Sequence, residues 1–415
     1  MKKVLCLFLL VAVASACSPR LVENDAFVEN LMKTRPAKFK KILRQKDTLG
    51  IQIIYTQINR DSSNRPTFKS FYFNVDSTQY FYPASTVKLP LVLLALEKLN
   101  QLNIHGLDKF TPMFHDSIYA GQLSVKSDTS AINKLPSVAH YAKKILVVSD
   151  NDAYNRLYEF VGQKEVNSKL KSKGYNIRIL HRLERPLSPD QNRHTEAVRF
   201  VKDDSVIYSQ PMLVNEDSIR PTRKVFKGKG YMSNDDHFIS KPFDFTYKNF
   251  YPLAEQQEIL KAVLFPETVD AKRKFDVTEA DRQFVMQYMS QLPRETKHPK
   301  YRGKNYYDAY VKYLLFGSNR KSIPTHIRIF DKVGIAYGFM IDNAYIVDFK
   351  NNTEFMLSAV INTNVDGVYN DGKYEFDKIG FPFMKNLGRV VYKYELKRKK
   401  KYQPDLSRIK LKYEQ

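Results

Sequence analysis

The sequence predicts a mixed α/β (α+β) protein of two lobes, a mainly antiparallel sheet flanked by helices and a helical lobe with an insertion. Three observations predict it. Runs rich in β-branched and aromatic residues lie near both ends of the 415-residue chain, at 51–59 and 68–75 and again at 328–332, 344–349 and 354–363. The stretch between them, about 102–325, reads mainly as helix and loop. No repeat, Gly/Ser linker or low-complexity run interrupts it. Strands at both ends with helices between them require the two ends to pair in one sheet, and a cleft between two such lobes is where a site is expected.

In chain order, Met1-Lys2-Lys3 and the apolar run 4–13 form a basic and then a hydrophobic segment, the pattern of an export signal over 1–16. The run is too short for a permanent membrane span. Ala14-Ser15-Ala16 fits a signal-peptidase site, but Ala14-Ser15-Ala16-Cys17 also resembles a bacterial lipoprotein box, with Cys17 as the lipidated N-terminus. The lipoprotein reading is favoured, because the only other cysteine, Cys6, lies inside the signal and leaves Cys17 without an internal disulfide partner. The expected location is the bacterial cell envelope, lipid-anchored and facing the periplasm or on the outer membrane, the latter favoured by Ser18 after Cys17.

Residues 22–46 carry apolar positions at helical spacing, and 51–59 and 68–75 form a hairpin about a polar turn. A helix follows over 86–101, then helices at 139–148, 152–161 and 253–265. Another runs from a capping box at Thr278 and Asp281 to 292. The three late strands precede a last helix near 374–391. The sheet lobe is thus expected from about 22–86 and 326–391, the helical lobe from about 87–325, and a basic tail over 397–415.

Composition is that of a globular protein, 43% hydrophobic and 27% charged, with 27 Tyr and 27 Phe supplying large core side chains in the absence of Trp. The net charge of +23 is concentrated toward the end, in Lys397-Arg398-Lys399-Lys400-Lys401 and on to Lys412. It fits either attraction to anionic envelope polymers and lipid headgroups or a solvated tail. An exported chain without a recognisable nucleic-acid module is not expected to bind nucleic acid.

Four local clusters could meet in the cleft. In Tyr82-Pro83-Ala84-Ser85-Thr86-Val87-Lys88, Ser85 and Lys88 are three residues apart on the first turn of an apolar helix. Burial there lowers a lysine pKa and lets it take a serine proton. Ser149-Asp150-Asn151 lies between two helices. Glu184 lies in the loop His181-Arg182-Leu183-Glu184-Arg185-Pro186-Leu187-Ser188. Lys332-Val333-Gly334 ends a strand, and Gly334 would let a substrate approach the backbone. Taken singly, these are a helix cap with a solvated lysine, a capping turn, an exposed ion-pair partner and an ordinary strand end.

Together, in this order and spacing, they resemble the serine β-lactamase and penicillin-binding protein superfamily, specifically the class A β-lactamases. The resemblance runs from the first helix near 22 to the last near 391. It implies a hydrolase in which Ser85 is the acylated nucleophile, Lys88 takes part in activating it, and Ser149 relays a proton to the leaving nitrogen. Asn151 would bind the substrate amide side chain, Glu184 would activate the deacylating water, and Lys332 would attract the substrate carboxylate. The N–H groups of Ser85 and Ile335 would form the oxyanion hole, with Gly334 beside them. It implies a β-lactam or peptidoglycan-like substrate, a monomer, no cofactor and no metal.

Three departures accompany it. Val333 stands where the family has Thr or Ser, removing a hydroxyl contact to the substrate carboxylate worth about 1–3 kcal/mol. Ser188 replaces the Asn that helps the glutamate hold water. The stretch 203–249 is extra, and either covers the cleft, docks a partner or is a surface excursion. Arg182 has Asp190 or Glu196 as expected ion-pair partners. A D-Ala-D-Ala peptidase or small-ester hydrolase is the alternative, and a non-catalytic envelope-binding protein the second alternative.

Overall fold

The computed structural model describes residues 23–217, 221 and 223–414. The expected signal and Cys17 lie outside the described residues. The segment read as one helix over 22–46 forms two, α1 (Phe27–Lys33) and α2 (Pro36–Arg44). Pro36 lacks the N–H needed to continue a helix and is suited to starting one, so the chain breaks before it. The hairpin follows as β1 (Gln52–Arg60) and β2 (Pro66–Phe73), with Ile53 opposite Phe73 and Arg60 opposite Pro66. The Asp61 carboxylate accepts from the N–H groups of Ser63 and Arg65, both at 2.8 Å, and so fixes the turn.

A 3₁₀ turn, Ala84–Val87, runs directly into α3 (Lys88–Leu102), which is buried from Lys88 to Leu99. With α4 (Val138–Val148), α5 (Asn151–Val161) and α6 (Gln163–Ser172) it makes the helical lobe around Leu91, Ala95, Tyr141, Ile145 and Leu157. This region also holds a sheet that the helix-and-loop reading of 102–325 lacks. It pairs β3 (Met113–Asp116), β4 (Ala197–Lys202) and β5 (Ser205–Gln210), with the short α7 (Pro189–Arg193) preceding β4. Two-residue and three-residue strands follow: β6 (Phe226–Lys227), β7 (Gly230–Met232), β8 (Phe238–Ile239) and β9 (Phe243–Asp244).

The helix α8 (Leu253–Leu264), assigned by the sequence to the helical lobe, lies between that lobe and the sheet. Its Gln257 accepts from Thr56 Oγ1 at 2.7 Å and donates to Ser358 Oγ at 2.9 Å. The two lobes therefore share one core here rather than meeting as separate units. The expected capping box opens α9 (Glu279–Ser290), with Thr278 and Asp281 bonded reciprocally. A short segment, α10 (Tyr313–Phe316), leads toward the last strands.

Those strands are longer than expected: β10 (Ile327–Ala336), β11 (Phe339–Asp348) and β12 (Thr353–Asn362). The turn joining β10 to β11 is only Tyr337-Gly338, both left-handed at φ 53° and 79°, the conformation a tight hairpin requires. Sheet order is β10-β11-β12-β1-β2, antiparallel throughout, so both ends of the chain pair as predicted. One face packs on α8 and the helical lobe; the other, with Tyr55, Ala344 and Phe355, packs on α1, α2 and α11 (Phe381–Glu395). Before α11 comes the short β13 (Val368–Tyr369), and a π turn over Phe376–Gly380 delays the helix expected from 374.

Residues 397–415, read as a basic tail, are docked as far as Glu414. Arg398 donates to Asn59 Oδ1 at 2.7 Å and to the Ile58 carbonyl at 3.0 Å. Leu406 is buried, Arg328 stacks over Tyr413 at 3.9 Å, and Glu414 pairs with Lys143 at 2.7 Å. A solvated tail is thereby corrected: apolar and acidic residues among the lysines supply contacts that hold it down.

Gly388 tests the packing of α11. Alanine in a helix interior normally stabilises by up to about 1 kcal/mol over glycine, but a Cβ at 388 would stand 2.3 Å from the Leu315 nitrogen. Gly388→Ala is expected to lower unfolding free energy by about 1–3 kcal/mol in urea titration; a gain in stability would contradict this close approach.

Candidate active site

The turn that presents Ser85 is strained on its N-terminal side. Ala84 is buried and left-handed at φ 49°, a conformation that costs a non-glycine residue about 1–3 kcal/mol. Thr86 holds it by donating its Oγ1 at 2.7 Å and its N–H at 3.1 Å to the Pro83 carbonyl. Ser85 is half-buried and lines a cleft of about 890 Å³; among the described residues nothing hydrogen-bonds its hydroxyl.

Lys88 is fully buried. Its Nζ donates to the Ser149 carbonyl at 2.5 Å, to Ser149 Oγ at 3.3 Å and to Asn151 Oδ1. Burial drives its pKa well below the ordinary lysine range, and the Lys332 charge pushes the same way, while Asp150 and Glu184 oppose them.

Ser149-Asp150-Asn151 is the joint between α4 and α5. Ser149 ends α4 in a left-handed conformation at φ 61°, and the Asp150 side chain caps α5 by accepting from Ala153 N–H at 2.8 Å. The capping role and the cleft-facing role therefore coexist on neighbouring residues. From the other lobe, Lys332 Nζ donates to Ser149 Oγ at 2.8 Å and to the Val333 carbonyl at 3.0 Å. Burial pushes Lys332 down to about 7, Lys312 adds to the fall, and Asp331 and Asp342 resist it. One serine hydroxyl is thus shared between two buried amines.

β10 does not end at Lys332-Val333-Gly334 but continues to Ala336, carrying exposed Ile335 into the cleft beside Ser85. Alternation along the strand decides the rest. Val333 is buried in the core with Met340 and Phe383, so valine here fills the core instead of removing a contact from the cleft wall. A Cβ on Gly334 would stand 2.6 Å from the Pro83 carbonyl and 3.2 Å from Ala84 Cβ. The glycine is needed for the serine turn to approach the strand, not for a substrate to do so.

Glu184 is exposed, left-handed at φ 51°, and lines the same cleft as Ser85, Asn151 and Ile335. Its loop is fixed from α5. Arg182 pairs in two-pronged fashion with Glu159 at 2.5 and 2.6 Å, and Asn155 exchanges two hydrogen bonds with the Leu183 backbone. Asn155 and Glu159 are four apart and so share one face of α5. Neither Asp190 nor Glu196, the expected partners, pairs with Arg182: Tyr119 donates to Asp190, and Glu196 takes Arg156 at 2.7 Å. Ser188 caps α7, its hydroxyl accepting from Gln191 N–H at 3.1 Å, so it is a helix cap and not a water ligand for Glu184.

The extra stretch 203–249 forms part of the cleft rim. β7 pairs in parallel with β13, Tyr231 opposite Tyr369, and brings Tyr231–Asn234 and residues 370–374 to the rim. Phe243, Tyr337 and Tyr82 form an aromatic wall, with His181 stacked on Tyr82 at 6.1 Å. Burial lowers His181 to about 4, so it is neutral at pH 7. Of these rim residues only Tyr82 and His181 lie in motifs quoted from the sequence. The only available signal was the aromatic content of the insertion.

Residues 37–220 match the model of a family described as "Beta-lactamase enzyme family". That span holds Ser85, Lys88, Ser149, Asn151 and Glu184. No curated protein sequence matches the chain. Among solved structures, a β-lactamase from Sphaerobacter thermophilus has 11% identity and a TM-score of 0.48, covering 91% of this chain and 100% of its own. A β lactamase from Xanthomonas campestris has 15% identity and a TM-score of 0.46, with 88% and 98% covered. A PBP-A mutant, solved as an acyl-enzyme complex with penicillin G, has 14% identity and a TM-score of 0.47, with 89% and 97% covered.

Gly334→Ala is expected to displace the Ser85 turn and, if Ser85 is the residue that reacts with penicillins, to slow adduct formation on the order of 100-fold, the scale of a roughly 1 Å misplacement. Intact-mass kinetics with a fluorescent penicillin measure it, and an unchanged rate would show that the turn does not rest on this strand.

Proposed function

We propose that this β-lactamase-like chain is a serine hydrolase of the class A type that opens β-lactam amides through an acyl-Ser85 intermediate. The observation that carries the reading is Ser149 Oγ held between Lys332 Nζ at 2.8 Å and Lys88 Nζ at 3.3 Å, at the cleft that Ser85 lines. Two neighbouring amines in a dry site cannot both keep a proton at low cost. Lys88, fully buried and three residues from Ser85, is the base.

Lys88 takes the Ser85 proton as Oγ attacks the carbonyl carbon, and the N–H groups of Ser85 and Ile335 receive the developing oxyanion. The amide C–N bond breaks, and the ring nitrogen takes a proton through Ser149. Glu184 then activates a water that hydrolyses the ester, returning Ser85 and releasing the acid. Lys332 attracts the substrate carboxylate, and Asn151 contacts its amide side chain. Lys88 is buried with no carboxylate bonded to it among the described residues, which argues against a non-catalytic envelope-binding protein, since such a group is expensive to keep for structure alone.

A peptidase or small-ester hydrolase of the same superfamily is the second reading. It is favoured by Ser188 serving as a cap, which leaves Glu184 without that second side chain to hold the water. We place the enzyme in the bacterial envelope, anchored by a lipid on Cys17, as a monomer with no cofactor; Cys17→Ala would release it from membranes in cell fractionation.

Incubation with a chromogenic β-lactam, followed by intact mass, tests the chemistry. Ser85→Ala is expected to abolish turnover and adduct, a loss of at least about 1,000-fold. Glu184→Gln is expected to leave a long-lived adduct, with deacylation slowed about 100-fold or more. If the unaltered chain gives neither turnover nor adduct, the hydrolase reading fails. If it gives a stable adduct, the peptidase reading replaces the lactamase.

Lys332 sets a pH limb. Its ammonium is present below about 7 and lost above it, so kcat/KM for a carboxylate-bearing β-lactam is expected to fall as pH rises through that value. Lys332→Arg keeps its charge and would move the limb to above about pH 9. A profile flat from neutral into alkaline pH would remove Lys332 from carboxylate attraction.

A further inference from the structure

Three cationic side chains line the cleft, and two of them are engaged. Arg182 is paired with Glu159, and Arg185 reaches Glu196 at 3.7 Å and the Gly121 carbonyl. The third, Lys248, comes from the extra stretch. Among the described residues no carboxylate lies within 4 Å of its ammonium. It lies over the ring of Phe243, whose centre is 6.0 Å away. It is half-buried, and burial alone lowers its pKa. A partly desolvated ammonium without a counter-ion is costly to maintain, and the cost falls when an anion arrives.

The strand β10 gives the position of Lys248 relative to the nucleophile. Gly334 lies against Pro83 and Ala84, so Ser85 stands beside the middle of the segment 332–337. At one end of that segment Lys332 meets Ser149. At the other, the Tyr337 ring is 5.0 Å from Tyr82 and 5.5 Å from Phe243, the ring over which Lys248 lies. From Lys332 to the end of β10 at Ala336 the strand spans about 13 Å, with Tyr337 in the turn just beyond. The two cations therefore flank Ser85 along the edge of the sheet. Lys248 also borders an adjoining cavity of about 580 Å³ that shares His181, Arg185 and Pro186 with the cleft, so there is room for an acyl substituent at this end. Among the described residues Glu184 is the only acidic one lining the cleft, which leaves their wall net positive.

We infer that Lys248 is a specificity-determining residue that binds an acidic group on the acyl side of the substrate, so that the preferred amide carries an anion on each side of the scissile bond. The inference rests on the reading of Ser85 as nucleophile and Ser149 as proton donor to the leaving nitrogen, which makes the Lys332 end the leaving-group side.

The experiment compares benzylpenicillin with its α-carboxybenzyl analogue, which adds one carboxylate to the acyl side chain and nothing else of consequence. Binding is measured by calorimetry in the Ser85→Ala chain, where no covalent step intervenes. The dianionic ligand is expected to bind roughly tenfold tighter at low salt, the scale of one charge-assisted contact. That ratio is expected to collapse toward unity in Ser85→Ala/Lys248→Gln and to persist in Ser85→Ala/Lys248→Arg, with thermal melting confirming that each variant is folded. Equal affinities for the two penicillins, no binding of either, or a ratio unchanged by Lys248→Gln would each overturn the inference. If the Lys248-dependent preference holds while the unaltered chain forms no Ser85 adduct, the hydrolase reading fails and the anion site stands.

Discussion

The structure depends on keeping two lysine amines within hydrogen-bond reach of one serine hydroxyl while excluding water from both. Each of the three groups comes from a different element: Lys88 from the start of α3, Ser149 from the joint of α4 and α5, and Lys332 from the edge strand β10. Burial of α3 along its length supplies the low-dielectric setting for Lys88. The sheet supplies it for Lys332, with Asp331, Asp342 and Lys312 behind the strand setting the field. Because like charges repel strongly in such a setting, the arrangement favours one protonated and one neutral amine. That asymmetry is what acid–base work at a serine requires.

Backbone strain is concentrated around the same place. Ala84, Ser149, Glu184 and Tyr337 all hold left-handed conformations; Ala84, Glu184 and Tyr337 border the cleft, and Ser149 lies two residues before Asn151, which does. Such conformations persist only where the surroundings over-determine them. Here the surroundings are identifiable: Thr86 bonded to the Pro83 carbonyl, the capped start of α5, the Arg182–Glu159 pair, and the two-residue turn from β10 to β11. The backbone is therefore held firmly around Ser85 and Ser149, while the rim is built from short strand pairs and loops.

The parts of this arrangement that could be read from the sequence were those with local signals. Strand runs at both ends gave a single antiparallel sheet, and Thr278 with Asp281 marked a helix start within a residue. Ser85-x-x-Lys88, Ser149-Asp150-Asn151 and Lys332-Val333-Gly334 carried their own chemical logic. What was not legible depends on contacts between distant segments. The β3–β4–β5 sheet hides in short strands interrupted by Arg199 and Lys202, which do not alternate cleanly. Glu159 as the partner of Arg182 follows only once α5 is placed beside the loop; by sequence proximity Asp190 and Glu196 look better. The fate of Val333 and Ser188 depended on which way each side chain points, toward the core in one case and into a helix cap in the other. The rim arises from pairing β7 with β13, some 138 residues apart, where neither strand is long enough to be recognised alone.

The closure of the sheet has a temporal consequence. β1 pairs with β12, and β10 reaches the serine turn only after most of the chain exists. The docked end then pins α4 and α9 through Glu414, which takes Lys143 and the Tyr288 hydroxyl. A polypeptide emerging from its first residue would therefore carry Ser85 early but lack the strand that supports its turn, the Lys332 amine that meets Ser149 and the contacts that hold its helices. High sequence separation of this kind slows folding. The Ser85 turn and the helices around it thus gain their full support only once β10 and the residues up to Glu414 are in place.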